Sequence, residues 1–119
     1  MNSIEAVEKI ALVFQEIQTK NPLVQCITNG VTINDCANAL LAVGASPVMA
    51  AGQDAAEMAE LASSLVLNIG TINTGTEKAM KEAAQVATRR GIPIVLDPVG
   101  AGSTPTRLRI AQELIQNQK

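Results

Sequence analysis

The sequence predicts an α/β protein with a parallel sheet, on three observations. Short apolar runs at 23–28, 64–69 and 92–97 alternate with longer segments in which apolar residues recur at helical spacing. Strands alternating with helices imply right-handed crossovers and a sheet with helices on both faces. Each run also ends on polar or glycine-containing residues: Thr28-Asn29-Gly30, Asn68-Ile69-Gly70-Thr71 and Asp97-Pro98. The third observation is Ile92-Pro93-Ile94-Val95-Leu96, a near-continuous apolar run of the kind found where both faces of a parallel sheet are covered. With 119 residues, 47% of them apolar, residues 1–119 are read as a single α/β unit.

Residues 3–19 form an amphipathic helix in this reading, with Ile4, Val7, Ile10, Ala11, Phe14 and Ile17 on one face. Asn2 and Glu5 have capping-box spacing, and Asn21-Pro22 ends the helix because proline disfavours helical geometry in the residue before it. A strand over 23–28 leads through Asn29-Gly30 to a helix over 34–43, capped by Thr32 or Asn34 and stopped by Gly44. Residues 45–50 contain Pro47 and fit an edge strand or the entry to a strand. Asp54 then caps a helix over 55–63 with Met58, Leu61 and Ala62 inward.

The strand at 64–69 follows. Thr74-Gly75-Thr76-Glu77 has the capping-box pattern for a helix reaching about Arg90, with Met80, Ala83, Ala84 and Ala87 inward and Gly91 closing it. After the strand at 92–97 and the glycine loop, Thr104-Pro105 opens a last helix, with Leu108, Ala111 and Ile115 as its buried face and Gln116 to Lys119 fraying.

Composition narrows the function. Phe14 is the only aromatic residue and the net charge is −2, so base-stacking platforms and a basic field are both missing; nucleic acid is not an expected partner. No apolar run is long enough to span a bilayer, and the first residues lack a signal-peptide layout, so a cytoplasmic location is expected. Cys26 and Cys36 lack the spacing of a zinc or disulfide framework. Histidine is absent, so chemistry would rest on carboxylates, thiols, amines, hydroxyls or backbone amides.

In open α/β sheets ligands bind beyond the carboxyl ends of the strands. Asp97 stands at such an end, and is either a chemical carboxylate or the opening of an Asp-Pro turn. The three polar strand ends would converge on one crevice, which favours a small-molecule site. Gly100-Ala101-Gly102 is not a nucleotide fingerprint, since GxGxxG needs glycine where Pro105 stands, yet its amides could face an anion. Met49 and Cys26 read first as core filling. Arg89 and Arg90 suit a helix C-terminus, and Arg107 and Arg109 are either anion partners or solvated helix residues.

Several stretches, taken together and in order, carry a family resemblance: Asn21-Pro22-Leu23-Val24 through Ile27-Thr28-Asn29, Gly44-Ala45-Ser46-Pro47-Val48-Met49-Ala50, Leu67-Asn68-Ile69-Gly70-Thr71 and Leu96-Asp97-Pro98-Val99-Gly100-Ala101-Gly102. In these the chain resembles hydroxyethylthiazole kinase. The resemblance implies a ribokinase-like three-layer αβα fold with a mostly parallel sheet, of which this chain is the N-terminal, thiazole-side half.

It further implies ATP- and Mg²⁺-dependent phosphorylation of the hydroxyl of 4-methyl-5-(2-hydroxyethyl)thiazole in thiamine synthesis, by a trimer with sites between subunits. By position Asn29, Val31, Met49 and Gly70 match the thiazole-binding region, and Asp97 the catalytic acidic residue beside Mg²⁺ and the transferred phosphate. Gly100 and Gly102 are the weaker cofactor-side positions. The family's Gly-Asn-containing nucleotide segment and its Thr-Gly-Xaa-Gly-Cys loop are not found in these 119 residues. The alternative is therefore an inactive small-molecule-binding or assembly module of the same fold.

Overall fold

A computed structural model describes residues 1–116. Its elements in order are α1 (Ser3–Lys20), β1 (Leu23–Ile27), α2 (Ile33–Ala42), β2 (Ser46–Val48), α3 (Ala55–Ala59), β3 (Ser64–Asn68), α4 (Thr74–Arg90), β4 (Ile94–Asp97) and α5 (Pro105–Gln116). The strands form one parallel sheet in the order β2-β1-β3-β4. The predicted α/β class and element order are what the chain adopts. The fraying predicted past Gln116 falls on 117–119, outside the described residues.

Alternation along β1 and β3 decides which side chains meet which helices. Ile27, Leu65, Leu67 and Ile69 join Ala79, Met80, Ala83, Ala84 and Ala87 of α4 and Ile110, Ala111 and Leu114 of α5 in the main core. Alanine dominates the α4 stripe, so the helix backbone lies close to the strands. On the opposite face Val24, Cys26 and Ala45 form a smaller core with Leu40 and Val43 of the α2 side.

Several local expectations hold. Asn2 and Glu5 exchange both capping-box hydrogen bonds, Gly91 closes α4 at φ 70°, and Gly44 turns the chain after α2 at φ 95°. A methyl group on Gly44 would stand 2.9 Å from Gln18 Cγ, so glycine also lets the turn approach α1. Thr104 Oγ1 accepts from Arg107 N–H at 3.1 Å as the cap ahead of Pro105.

Others are corrected by tertiary packing. The box at the start of α4 lies one residue earlier than its sequence pattern, between Asn73 and Thr76, which leaves Glu77 for other partners. Helix α3 ends at Ala59; Ala55, Ala59 and Ala62 are buried while Leu61 faces solvent. In α5 the buried residues are Ile110, Ala111 and Leu114, with Leu108 and Ile115 exposed, so the helix is rotated from its expected face. Among the described residues β4 is an edge strand, and Val95 is 60% exposed although its sequence reads as doubly covered. Among the described residues no helix is long and apolar enough to cross a membrane.

Helix α1 forms where expected, but its apolar stripe is largely uncovered: Ile4, Val7, Ile10 and Phe14 are exposed, while Ile17 packs partly buried against Val24, Cys26 and Ala45. Its C-terminal end is nonetheless fixed: Asn21, in left-handed geometry, donates from Nδ2 to Gly44 O at 2.7 Å. A helix with this stripe and an open edge strand present apolar surface and unpaired backbone together. We expect the chain to self-associate with rising concentration in sedimentation velocity; a monodisperse monomer throughout would contradict this.

Helices α4 and α5 are joined by an ion network. Glu77 accepts from Lys81 at 2.8 Å and Arg109 at 3.0 Å, and Glu113 from Lys81 at 2.5 Å and Arg109 at 3.1 Å. Hydrogen bonds from Arg109, then Lys81, hold the Glu77 carboxyl below the usual carboxylate range, and Lys81, then Arg109, do the same for Glu113. Carboxylates held low stabilise the fold at neutral pH, and that contribution disappears as pH falls through their lowered values. Glu113→Gln should therefore lower the melting temperature at pH ~7 and change it less at pH ~3. Melts giving equal drops at both would remove the network's role.

Arg89 and Arg90, read from sequence only as helix-end cations, tie α4 to the α3 segment. Arg89 pairs with Glu60, and Arg90 Nη1 donates to Ala59 O and Ala62 O at 2.8 and 2.6 Å.

Candidate functional site at the carboxyl edge of the sheet

The register brings the three polar strand ends to one edge. Ile27 lies beside Leu67 across β1 and β3, and Asn68 beside Asp97 across β3 and β4. Just beyond, a chain of side-chain amides crosses the strands. Asn29 Nδ2 donates to Asn68 Oδ1 at 2.9 Å, and Asn68 Nδ2 donates to Asp97 Oδ2 at 2.9 Å.

The chemistry of the two ends fixes the direction of this chain. An ionised Asp97 can only accept, so the Asn68 amino group must turn toward it. At the other end Asn29 Oδ1 accepts the backbone N–H groups of Val31 at 3.0 Å and Thr32 at 3.2 Å, so its amino group must face Asn68. Asn29 thereby holds the turn into α2, for which Thr32 makes no side-chain cap bond and Asn34 lies inside the helix. The residue is 9% exposed, and its carboxamide is a satisfied buried amide.

Gly70 is enclosed by the same groups. Its N–H donates to Asn68 Oδ1 at 2.8 Å, and a methyl group at its Cα would lie 2.8 Å from Asn29 Nδ2. Gly30 N–H donates to Thr71 Oγ1 at 3.0 Å, so the loops after β1 and β3 are joined a second time.

Arg107 completes the edge from α5. Its Nη1 donates to Ile69 O at 2.7 Å and Val99 O at 2.8 Å, and its Nη2 to Gly70 O at 2.7 Å. It is neither a solvated helix residue nor an open anion partner; it clamps the glycine loop to the end of β3. Arg109 is likewise engaged, in the α4–α5 network. Gly100 has φ 71°, and an added methyl would meet Arg107 Cδ at 3.2 Å, so the loop's turn and the clamp need the same glycine. Gly102 faces no such neighbour.

Of the site residues predicted from sequence, Asn29, Gly70 and Asp97 meet in one hydrogen-bonded set. Met49 stands at the end of the neighbouring β2, partly buried against the core of Val24, Cys26 and Ala45. Val31 enters only through its backbone, and its side chain is 83% exposed. Below this edge, Cys26, Cys36, Ala39, Leu40 and Val66 line an apolar groove of about 230 Å³. Burial, with Cys36 nearby, pushes the Cys26 thiol up to about 11, so it behaves as the small hydrophobe its sequence context suggests.

The hydroxyethylthiazole kinase family model matches residues 14–119. The chain belongs to that family. It is 43% identical to a hydroxyethylthiazole kinase of Methanobrevibacter smithii over 119 residues, covering 99% of this chain and 42% of the relative. A "Thiamine biosynthesis bifunctional protein ThiM/ThiE" of Symbiobacterium thermophilum is 55% identical over 105 residues, covering 86% of this chain and 22% of the relative. A solved hydroxyethylthiazole kinase protein from Pyrococcus horikoshii OT3 superposes with a TM-score of 0.89 at 45% identity, over 93% of this chain and 44% of that one. The α/β fold is thus shared with the family, and the chain spans 42% of the first of these relatives' length.

Two residues central to the edge carried little signal alone. Asn68 was visible only as one of three polar strand ends; the register with Asp97 gives it a partner on each side. Arg107 reads from sequence as an anion partner or a solvated helix residue, and its clamp role has no sequence signal because its acceptors are backbone carbonyls at 69, 70 and 99.

Proposed function

We propose that this chain forms the thiazole-side part of a kinase that phosphorylates the hydroxyl of 4-methyl-5-(2-hydroxyethyl)thiazole with ATP in thiamine biosynthesis. The observation that supports it is the Asn29–Asn68–Asp97 chain at the carboxyl edge of the sheet, in a member of the hydroxyethylthiazole kinase family. A neutral heterocycle suits fixed amides beside an apolar side chain such as Met49. Phosphoryl transfer depends on positioning and charge neutralisation rather than on a histidine base.

Asp97 is the residue that would hold Mg²⁺. Among the described residues no group of three His, Cys, Asp or Glu side chains could hold a metal ion. A single carboxylate fits Mg²⁺, which is commonly carried by one or two carboxylates together with substrate phosphates and water. When bound, the ion would neutralise charge on the transferred phosphate; Asn68 keeps the carboxylate turned to the strand edge through its bond to Oδ2. Gly100 and Gly102 lie on the same side, on the loop clamped by Arg107. ATP would bind mainly through family segments not present in these residues. The whole protein is read as a cytoplasmic homotrimer, and the exposed α1 stripe is surface such an assembly would cover.

Ligand-observed saturation-transfer NMR with the thiazole alcohol tests this reading. Transfer to the ring methyl is expected with the wild-type chain and should be lost on Asn29→Ala. A folded wild-type chain that gives no transfer at millimolar ligand would refute binding by this part and favour the inactive assembly module.

A further inference from the structure

Among the described residues, the core next to the candidate site contains one buried polar side chain that the Asn29–Asn68–Asp97 chain does not use. Gln25, on β1, is fully buried on the face shared with Ile27. Its two Nε2 hydrogens go to Ala50 O and Ala55 O, both at 2.9 Å. Those carbonyls flank residues 51–54, the loop that follows Met49 and leads into α3. Both ends of the loop are therefore held by one carboxamide.

The Oε1 of the same group has no hydrogen-bond donor among the described residues. An amide buried with half its polar capacity unmet is a poorer core filler than the aliphatic side chains around it. Packing does not explain it, but its donor group does. Elsewhere the loop is held lightly: Ala51 packs partly buried against the main core and Ala55 N–H donates to Gly52 O at 3.2 Å, but Gly52, Gln53 and Asp54 are exposed, and a groove of about 210 Å³ separates Ala51–Gln53 from Gly75 and Lys78 of α4.

We infer that Gln25 is a positioning residue that fixes the Met49–Asp54 segment, and so sets where the Met49 side chain stands at the edge of the thiazole site. This rests on the proposed function for its ligand, but its geometric claim stands apart from it. Gln25 touches no reacting group; it acts through two backbone carbonyls.

The test uses the 119-residue chain labelled at its methionine methyl groups, with Gln25→Met and Gln25→Glu variants. Methionine keeps the length of the side chain and removes the donor. Glutamic acid keeps the shape and can donate only when protonated. For Gln25→Met we expect a displaced Met49 methyl resonance and amide exchange over 50–55 at least about tenfold faster, with exchange in β3 and α4 unchanged. For Gln25→Glu the Met49 resonance should move toward its wild-type position on acidification, with the wild-type chain titrated alongside to account for Asp54 and Glu57 of the same segment and for Lys78 and Glu82 of α4, which line the groove beside it.

Saturation transfer to the thiazole alcohol should fall with Gln25→Met. If wild type binds no thiazole, the functional reading fails while the Met49 resonance still decides this inference. An undisturbed Met49 resonance, exchange accelerated equally across the whole core, or loss of folding in both variants would overturn it, because the amide would then support the core and not the loop.

Discussion

Asn68→Leu should destabilise the fold by about 2–4 kcal/mol and abolish any thiazole binding by the chain. Three hydrogen bonds end on this one carboxamide: those from Asn29 Nδ2 and Gly70 N–H, and that to Asp97 Oδ2. Leucine matches the volume but leaves two donors without an acceptor at the carboxyl edge, where Asn29 is buried. The cost is the desolvation of those donors more than the loss of the bonds themselves. Asn29 would be free to rotate, and with it the turn it holds into α2. Urea denaturation measures the stability loss, and saturation transfer the binding. A variant as stable as wild type would show that the ladder is solvated and that the three strand ends are not coupled.

Arg107→Met should have an effect of similar size, felt on the other side of the site. The guanidinium serves three carbonyls, Ile69 O, Gly70 O and Val99 O, at 2.7, 2.7 and 2.8 Å. A charged donor to a partly buried carbonyl is worth about 1.5–3 kcal/mol, and the two at the end of β3 are part-buried while that to Val99 is exposed. We expect a loss of about 2–4 kcal/mol, with amide exchange accelerated at 99–103 ahead of the rest of the sheet. Methionine keeps the aliphatic stem against Gly100, so the loss reports the guanidinium. Arg107→Lys should recover only part of it, because one ammonium cannot span the fork that reaches three acceptors. Full recovery by lysine would mean that charge alone, without geometry, holds the loop.

These variants also mark the boundary between what sequence and structure each contribute. The α/β class followed from periodicity: strand-length apolar runs separated by 3.6-period segments admit few other arrangements. The caps at Asn2, Gly91 and Thr104 were local, and local chemistry does not depend on distant packing. Asn29, Gly70 and Asp97 were legible as strand-end residues because parallel strands share one carboxyl edge.

Burial was less legible, because an amphipathic pattern states that a face is apolar and not that anything covers it. Most of the α1 stripe, and Val95 within β4, have core-like sequence contexts and yet are exposed, whereas Ile17, Ile94 and Leu96 pack partly buried against the two cores. In α5 the choice between Leu108 and Ile110 as inward residues was made by packing, which places Ile110, Ala111 and Leu114 with Leu65, Leu67 and the α4 alanines in the main core. The roles of Asn68, Arg107 and Gln25 belong wholly to tertiary structure. Each depends on acceptors or donors brought together across about 25 to 40 positions of sequence, most of them backbone groups carried by every residue alike. The amino-acid pattern by itself determined which elements form and which polar ends they carry. The sheet register and the approach of α5 alone decided which of those groups meet, because hydrogen bonding requires a distance that no local pattern encodes.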